Sequence, residues 1–258
     1  MAQLAQERQQ ETPEKFKRFK KVLLQDGSSL TLHAGLANVF PGRFTKTAPA
    51  AVECHMTMSL FEQAPMKMTI AADTKPEHDY VPEAHELKGS LLLADAGYVN
   101  LDYFSSLSKN GASFLVRGTK SLNPEIVEAF NGKGRRQAKV EGKRVKEVNR
   151  RTNRSEVLDL TVEWKNLKCR AIRRWFPEER KYVVWLTNLE REEFSAEDVM
   201  LFYRSRWQIE LLFKELKSDT NLRRFTTQQK AIVEGLIWAS LLTLLLKRLV
   251  AKAAVKTV

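Results

Sequence analysis

The sequence predicts an α/β fold: a mixed sheet flanked by helices, with a basic, β-rich insertion before the last helices. Three observations carry that expectation. LLLAD (91–95) is a short, continuous apolar run of the kind that forms a buried parallel strand. A helical stretch and a second strand, ASFLVRG (112–118), follow it. The alternation then breaks, and residues 119–190 hold β-type runs. Finally, residues 198–225 (DVMLFYRSRWQIELLFKELKSDTNLRRF) return to the apolar spacing of an amphipathic helix.

Taken in order, residues 1–20 are a charged lead-in, helical or disordered. KVLLQDGSSLTLH begins as an apolar strand and runs into a turn, which places Asp26 at the strand's end. VFPGRFTKTAPA (39–50) is a loop. AVECHMTMSLF (51–61) and MKMTIAA (66–72) read as strands joined by EQAP, a hairpin. The polar stretch after them holds at most a short helix. AGY turns the chain out of LLLAD, and VNLDYFSSLSKNG is a helix stopped by Asn110-Gly111. Between Lys133 and Arg154 stand 10 Lys/Arg against 2 Asp/Glu, the composition of a solvated, mobile loop or of a DNA contact. EVLDLTVEW (156–164), KCRAIRRWF (168–176) and KYVVWLTNL (181–189) are strands. Ser195 is suited to cap the next helix, with Asp198 three residues on. The run Gly235–Leu246 (GLIWASLLTLLL) has 12 residues, short of the roughly 20 of a membrane span, and reads as a buried core helix. The expected division is a lead-in (1–20), the first part of the core (21–118), the insertion (119–190), the C-terminal core helices (191–250) and a basic tail (251–258).

The net charge of +12 and pI near 9.7 point to a polyanionic partner. Nucleic acid fits better than membrane, since the N-terminus has no apolar signal segment and no basic amphipathic anchor is visible. Cys54 and Cys169 lie far apart in strand-like segments, the pattern of buried thiols in a reducing cytoplasm.

Within 198–225, four side chains stand out. With Tyr203 set at zero on a single helix, Arg206, Glu210 and Lys217 fall at roughly 300°, 340° and 320°. They form one stripe about 20 Å long. Beside it runs an apolar arc of Phe202, Ile209, Leu212, Phe213 and Leu216, while Arg204, Gln208 and Glu215 form a separate watery side. Charge held against an apolar edge is costly, which favours a functional stripe. The plainer reading is a solvated face with i,i+4 pairs such as Arg206 and Glu210.

An acid at the end of a strand is a common ligand position in open α/β sheets. Asp26 and Asp95 both follow apolar runs directly, though such an Asp is also an ordinary turn former. Together with Glu210 they make a candidate triad. Three converging carboxylates need hard cations to neutralise them, as in Mg²⁺ sites built from carboxylates, water and phosphate.

The spacing Tyr-x2-Arg-x3-Glu-x6-Lys at Tyr203, Arg206, Glu210 and Lys217 resembles the signature of bacterial DDE transposases of the insertion-sequence-4 family. YRSRWQIELLFKELKS is similar to that family's wording. QDGSSLTL and LLLADAGY resemble its first and second Asp segments, and WLTNL the strand before its last helix. The resemblance spans about residues 20–250. It implies an RNase H-like fold with a β-rich insertion between the second catalytic Asp and the catalytic Glu. It implies Asp26, Asp95 and Glu210 as catalytic ligands of two Mg²⁺ or Mn²⁺ ions. It assigns Tyr203, Arg206 and Lys217 to phosphates at the transposon end. It further implies cut-and-paste transposition of double-stranded DNA through a hairpin intermediate, by a homodimer in the bacterial cytoplasm. Only 25 residues precede Asp26, so the resemblance is to a core without most of the end-reading domain. Two other readings stand beside it: a non-catalytic DNA-binding regulator derived from a transposase, and a different nuclease on an RNase H-like scaffold.

Overall fold

The computed structural model describes residues 13–151, 157–219 and 225–256. The chain divides into two compact units. The first comprises Met1–Val22, Ala84–Ala96 and Asn100–Ser205; the second comprises Leu23–Glu83, Gly97–Val99 and Arg206–Val258.

The first unit is built on a mixed sheet. β4 (Leu91–Ala94) runs parallel to β5 (Ser113–Arg117), and α1 (Leu101–Lys109) makes the crossover between them. Asn100 caps α1 by accepting the Tyr103 amide at 3.1 Å, and Gly111 ends it at φ +69°, a conformation open to Gly at little cost. Phe104 stacks on Phe114 at 4.4 Å and fixes the helix to its strand. From β5 the sheet continues antiparallel through β9 (Lys181–Thr187), β8 (Leu167–Phe176), β7 (Leu158–Trp164) and β6 (Glu125–Asn131). Residues 119–190 are therefore rich in strand, and β9 is hydrogen-bonded to β5 rather than set apart from it. The basic tract holds turns and α2 (Val145–Arg151); residues 152–156, where part of its expected mobility fell, lie outside the described residues. A buried ion pair locks the end of this sheet. Arg170 grips Asp159 at 2.9 and 2.6 Å and also donates to the carbonyls of Leu189 and Phe194. The chain then enters α3 (Ala196–Arg204), where Ser195 and Asp198 form the reciprocal capping box expected from the sequence.

The second unit holds an antiparallel meander of β1 (Val22–Thr31), β2 (Ala51–Ser59) and β3 (Ala64–Ala72), with α4 (Trp207–Asp219) and α5 (Lys230–Lys256). Pro65 is tolerated because β3 is an edge strand of the meander. Arg248 ties α5 to Glu215 of α4 at 2.8 Å and to the Gln63 carbonyl at 2.6 Å. Three expectations change here. β1 continues to Thr31, so Asp26 lies mid-strand, opposite Met56, because Gly27-Ser28-Ser29 pairs with β2 instead of turning. Within 198–219 the chain forms two helices, broken at Ser205-Arg206, so the four signature residues do not share one helical stripe. The run Gly235–Leu246 buries only one side: Ile237, Leu241 and Leu244 are covered, while Leu236, Trp238, Leu242 and Leu246 are exposed. Among the described residues no helix is long and apolar enough to cross a membrane.

Candidate active site

Strand β1 carries Asp26 on the side where Arg206 approaches. One guanidinium nitrogen donates to Asp26 Oδ2 at 2.9 Å, and the other donates to Glu210 Oε1, one helical turn on from Arg206. Burial of Arg206 leaves this bridge less screened than a surface i,i+4 pair. The Gly27 amide donates to Asp26 Oδ1 at 3.0 Å and fixes the carboxylate's rotation. Lys217 donates its ammonium to the carbonyl of Ser29, three residues beyond Asp26 on the same strand, at 2.9 Å. Its pKa is held below the ordinary lysine value by burial, opposed by Cys54. Asp26, Arg206, Glu210 and Lys217 thus gather along β1 within the second unit.

In the first unit, Asp95 follows β4 directly, as expected, and accepts a hydrogen bond from Tyr203 Oη at 3.1 Å. Trp185 of β9 lies 6.0 Å from the Tyr203 ring and backs it. Asp95 borders a cavity of about 350 Å³ whose other walls include Arg117, Lys120, Lys146, Lys181 and Tyr182. This basic wall was not singled out in the sequence. Its lysines and arginine come from segments far apart along the chain, so no local spacing reports them.

A second feature missed by sequence lies behind β1. Glu53, His55 and Tyr98 are buried, with His55 Nδ1 3.3 Å from Tyr98 Oη and His55 Nε2 3.8 Å from Glu53. A Cβ at Gly27 would meet Glu53 Oε1 at 2.7 Å and Tyr98 Oη at 3.2 Å, so only glycine leaves this packing undisturbed next to Asp26. Burial, reinforced by Glu77, pushes the Glu53 carboxyl up to about 7, and burial pushes the His55 imidazole down to about 4.

Asp26, Asp95 and Glu210 offer the hard oxygen donors that Mg²⁺ or Mn²⁺ prefers. Among the described residues no three His, Cys, Asp or Glu side chains form a group arranged to hold a metal ion. At Asp26 and Glu210 the compensating positive charge is supplied by Arg206.

Comparison with known proteins completes the picture. The family described as "Transposase DDE domain" matches residues 17–246. The transposase for insertion sequence element IS1151 of Clostridium perfringens is 25% identical over 238 residues, covering 78% of this chain and 50% of that protein. The putative transposase InsL for insertion sequence element IS186A of Escherichia coli (strain K12) is 44% identical over 61 residues, 24% of this chain and 16% of that one. The transposase for insertion sequence element IS231E of Bacillus thuringiensis subsp. finitimus is 20% identical over 266 residues, 88% and 56% of the two chains. Among solved structures, the piggyBac transposase synaptic complex with hairpin DNA aligns at a TM-score of 0.49 and 10% identity, over 86% of this chain and 45% of that one. The chain spans about half the length of the longer-matching relatives.

Proposed function

The chain belongs to the transposase DDE domain family, and from that premise we propose that it is the catalytic core of an insertion-sequence-4-type transposase. The observation that carries the reading is the bridge from Arg206 to both Asp26 and Glu210. Two carboxylates held on one cation are two acids that require positive charge between them. The antiparallel β1–β3 meander and the parallel β4–β5 pair support an RNase H-like scaffold.

In this reading Asp26, Asp95 and Glu210 would hold two Mg²⁺ or Mn²⁺ ions. When bound, those ions supply charge stabilisation for the attacking and leaving oxygens of an in-line phosphoryl displacement. The reaction adds water across a phosphodiester: its oxygen bonds to phosphorus, the bond to the 3′ oxygen breaks, and that oxygen takes up a proton. Strand transfer repeats the displacement with the freed 3′ hydroxyl in place of water. Arg206 turns from the carboxylates to a phosphate of the bound strand. Lys217 and Tyr203 give further donors, so the register of the DNA is fixed by phosphate contacts rather than by reading bases. The partner is double-stranded DNA at the element's ends, paired by two copies of the protein in the bacterial cytoplasm.

The test is nicking of supercoiled plasmid in Mn²⁺ and Mg²⁺. The wild-type chain nicks; Asp95→Ala and Glu210→Gln retain DNA binding and lose nicking. Undiminished nicking by either variant overturns the assignment. A second reading, a non-catalytic regulator, takes the same bridge as permanent, with Arg206 keeping both Asp26 and Glu210 from a metal. DNA binding by the wild type with no nicking in either metal selects it.

A further inference from the structure

The loop between β1 and β2 is held more tightly than its place on the surface requires. At its base the Leu32 amide donates to the Ala50 carbonyl at 2.9 Å and the Ala51 amide to the Phe40 carbonyl at 3.0 Å. Nearer the tip the Gly42 amide donates to the Pro49 carbonyl at 2.9 Å, and the Phe44 carbonyl accepts the amides of Thr47 and Ala48 at 3.0 and 2.7 Å. A Cβ at Gly42 would stand 2.0 Å from the Ala48 carbonyl oxygen, so the two legs of the loop meet at a distance only glycine permits. Arg43 anchors one leg to buried Asp73. Its amide donates to Asp73 Oδ2 at 3.2 Å, and its guanidinium donates to the Asp73 main-chain carbonyl at 3.0 and 3.2 Å. Asp73 in turn accepts the Ser29 hydroxyl at 2.5 Å. The loop is thereby pinned to β1 at Ser29, within the same unit as Asp26.

What the loop holds out is an aromatic ring. Phe44 is 65% exposed, the least covered aromatic side chain among the described residues. An exposed apolar residue by itself needs no explanation. Phe44 differs in being mounted: a loop with this many internal bonds has already given up the conformational freedom that would let the ring fold back onto the protein. Thr45, Lys46 and Thr47 beside it are exposed too, and no acid stands between Val39 and Ala50. The tip therefore offers one apolar ring, a cation and two hydroxyls. The cation and the hydroxyls are donors of the kind that bind DNA phosphates. A phenylalanine presented among such donors is suited to enter a base step, unstack it in part and kink the duplex. Because the loop is rigid beforehand, little ordering entropy is lost when the ring is inserted.

We propose that Phe44 is a DNA wedge: it enters a base step of the bound duplex and kinks it, while Lys46 and the neighbouring hydroxyls hold the flanking phosphates. This rests on the reading above that the chain binds double-stranded DNA, and it needs neither cleavage nor metal. A wedge responds to how readily a step opens, so the chain favours a duplex already weakened by a mismatch, where unstacking costs least. The experiment uses the full chain in EDTA, as wild type, Phe44→Ala, Phe44→Leu and Lys46→Ala. Fluorescence anisotropy measures affinity for a short matched duplex and for the same duplex with a central mismatch. Energy transfer between dyes on the two ends of the mismatched duplex, at saturating protein, reports the kink. The wild type binds the mismatched duplex about tenfold more tightly than the matched one and raises energy transfer. Phe44→Ala binds the two duplexes alike and leaves energy transfer unchanged, with the melting temperature of the wild type, since the side chain is exposed. Phe44→Leu keeps an apolar wedge and retains most of both effects. Lys46→Ala weakens binding to both duplexes, lowers the salt slope by about one and keeps the mismatch preference. If Phe44→Ala keeps the preference and the rise in energy transfer, or if the wild type binds DNA and shows neither, the wedge alone is overturned. Failure of the wild type to bind either duplex overturns the DNA reading as well.

Discussion

Replacing Arg206 with alanine removes a guanidinium that bonds both Asp26 and Glu210. At an effective dielectric of about 20, a charge pair some 4 Å apart attracts by about 4 kcal/mol. Two such pairs are offset by desolvation of the guanidinium. They are weakened further by solvent, because the Asp26 and Glu210 side chains keep 16% and 32% of their exposure. The net loss expected is about 2–4 kcal/mol in metal-free buffer. For a chain of this size that lowers Tm by roughly 5–15 °C. The assay is thermal unfolding by circular dichroism in EDTA, followed by titration with Mn²⁺. A divalent ion supplies the charge that the variant lacks, so Mn²⁺ should raise the variant's Tm more than the wild type's. An ion at about 100 times its Kd adds about 2.7 kcal/mol. Adding Glu210→Gln to the variant should relieve the repulsion in EDTA and abolish the extra metal response. If Arg206→Ala melts with the wild type in EDTA, or if Mn²⁺ shifts both equally, the guanidinium is not holding two acids together.

Behind β1, the Glu53 carboxyl is raised from 4.5 to about 7 and the His55 imidazole lowered from 6.5 to about 4. A raised carboxyl makes stability fall as pH rises from about 4.5 to 7, because the unfolded state ionises first. A lowered imidazole makes stability fall as pH drops from about 6.5 to 4. The two slopes oppose each other. Glu53→Gln should therefore expose a loss of stability toward acid, and His55→Asn a loss toward neutrality, both read from denaturant midpoints across pH 4–7.5; parallel profiles for both variants would contradict the pairing. Asp159→Ala leaves the buried Arg170 guanidinium without its carboxylate and should destabilise by about 3–5 kcal/mol in urea unfolding, whereas Asp159→Leu with Arg170→Met should cost less than either single truncation. DNA binding by the chain should weaken steeply with salt and show little sequence preference in gel-shift titrations. Lys217→Ala should lower nicking more than duplex affinity; the reverse order would remove it from the strand beside Asp26.

Local patterns carried much of this structure. The buried strand at 91–94, the helix stopped at Asn110-Gly111 and the capping box at Ser195 are each specified by a few consecutive residues, and each formed where the sequence placed it. The pairing of Arg206 with Glu210 was also legible as a four-residue interval. What escaped was decided by partners distant in the chain. Asp26 looked terminal because Gly27 follows it, yet pairing with β2 keeps the strand going. The break at Ser205-Arg206 has neither Gly nor Pro to announce it, so periodicity carried one helix through two. α5 is apolar nearly all round from Gly235 to Leu246, and a sequence with no polar face cannot say which side is covered. The strand β6 went unassigned because its own residues alternate weakly and gain their order from β7.

Each unit also carries one buried thiol. Cys54 is in β2 of the second unit and Cys169 in β8 of the first, and burial pushes both up to about 12. In the folded protein neither is a nucleophile at neutral pH. An alkylating reagent therefore reacts only when the surrounding strands open, and the rate of modification at each site measures the opening free energy of that unit. With no engineered label, the chain contains two independent clocks for the breathing of its halves. Mass spectrometry of the two cysteine peptides would read them from a single reaction, with DNA or metal added to see which half each ligand steadies.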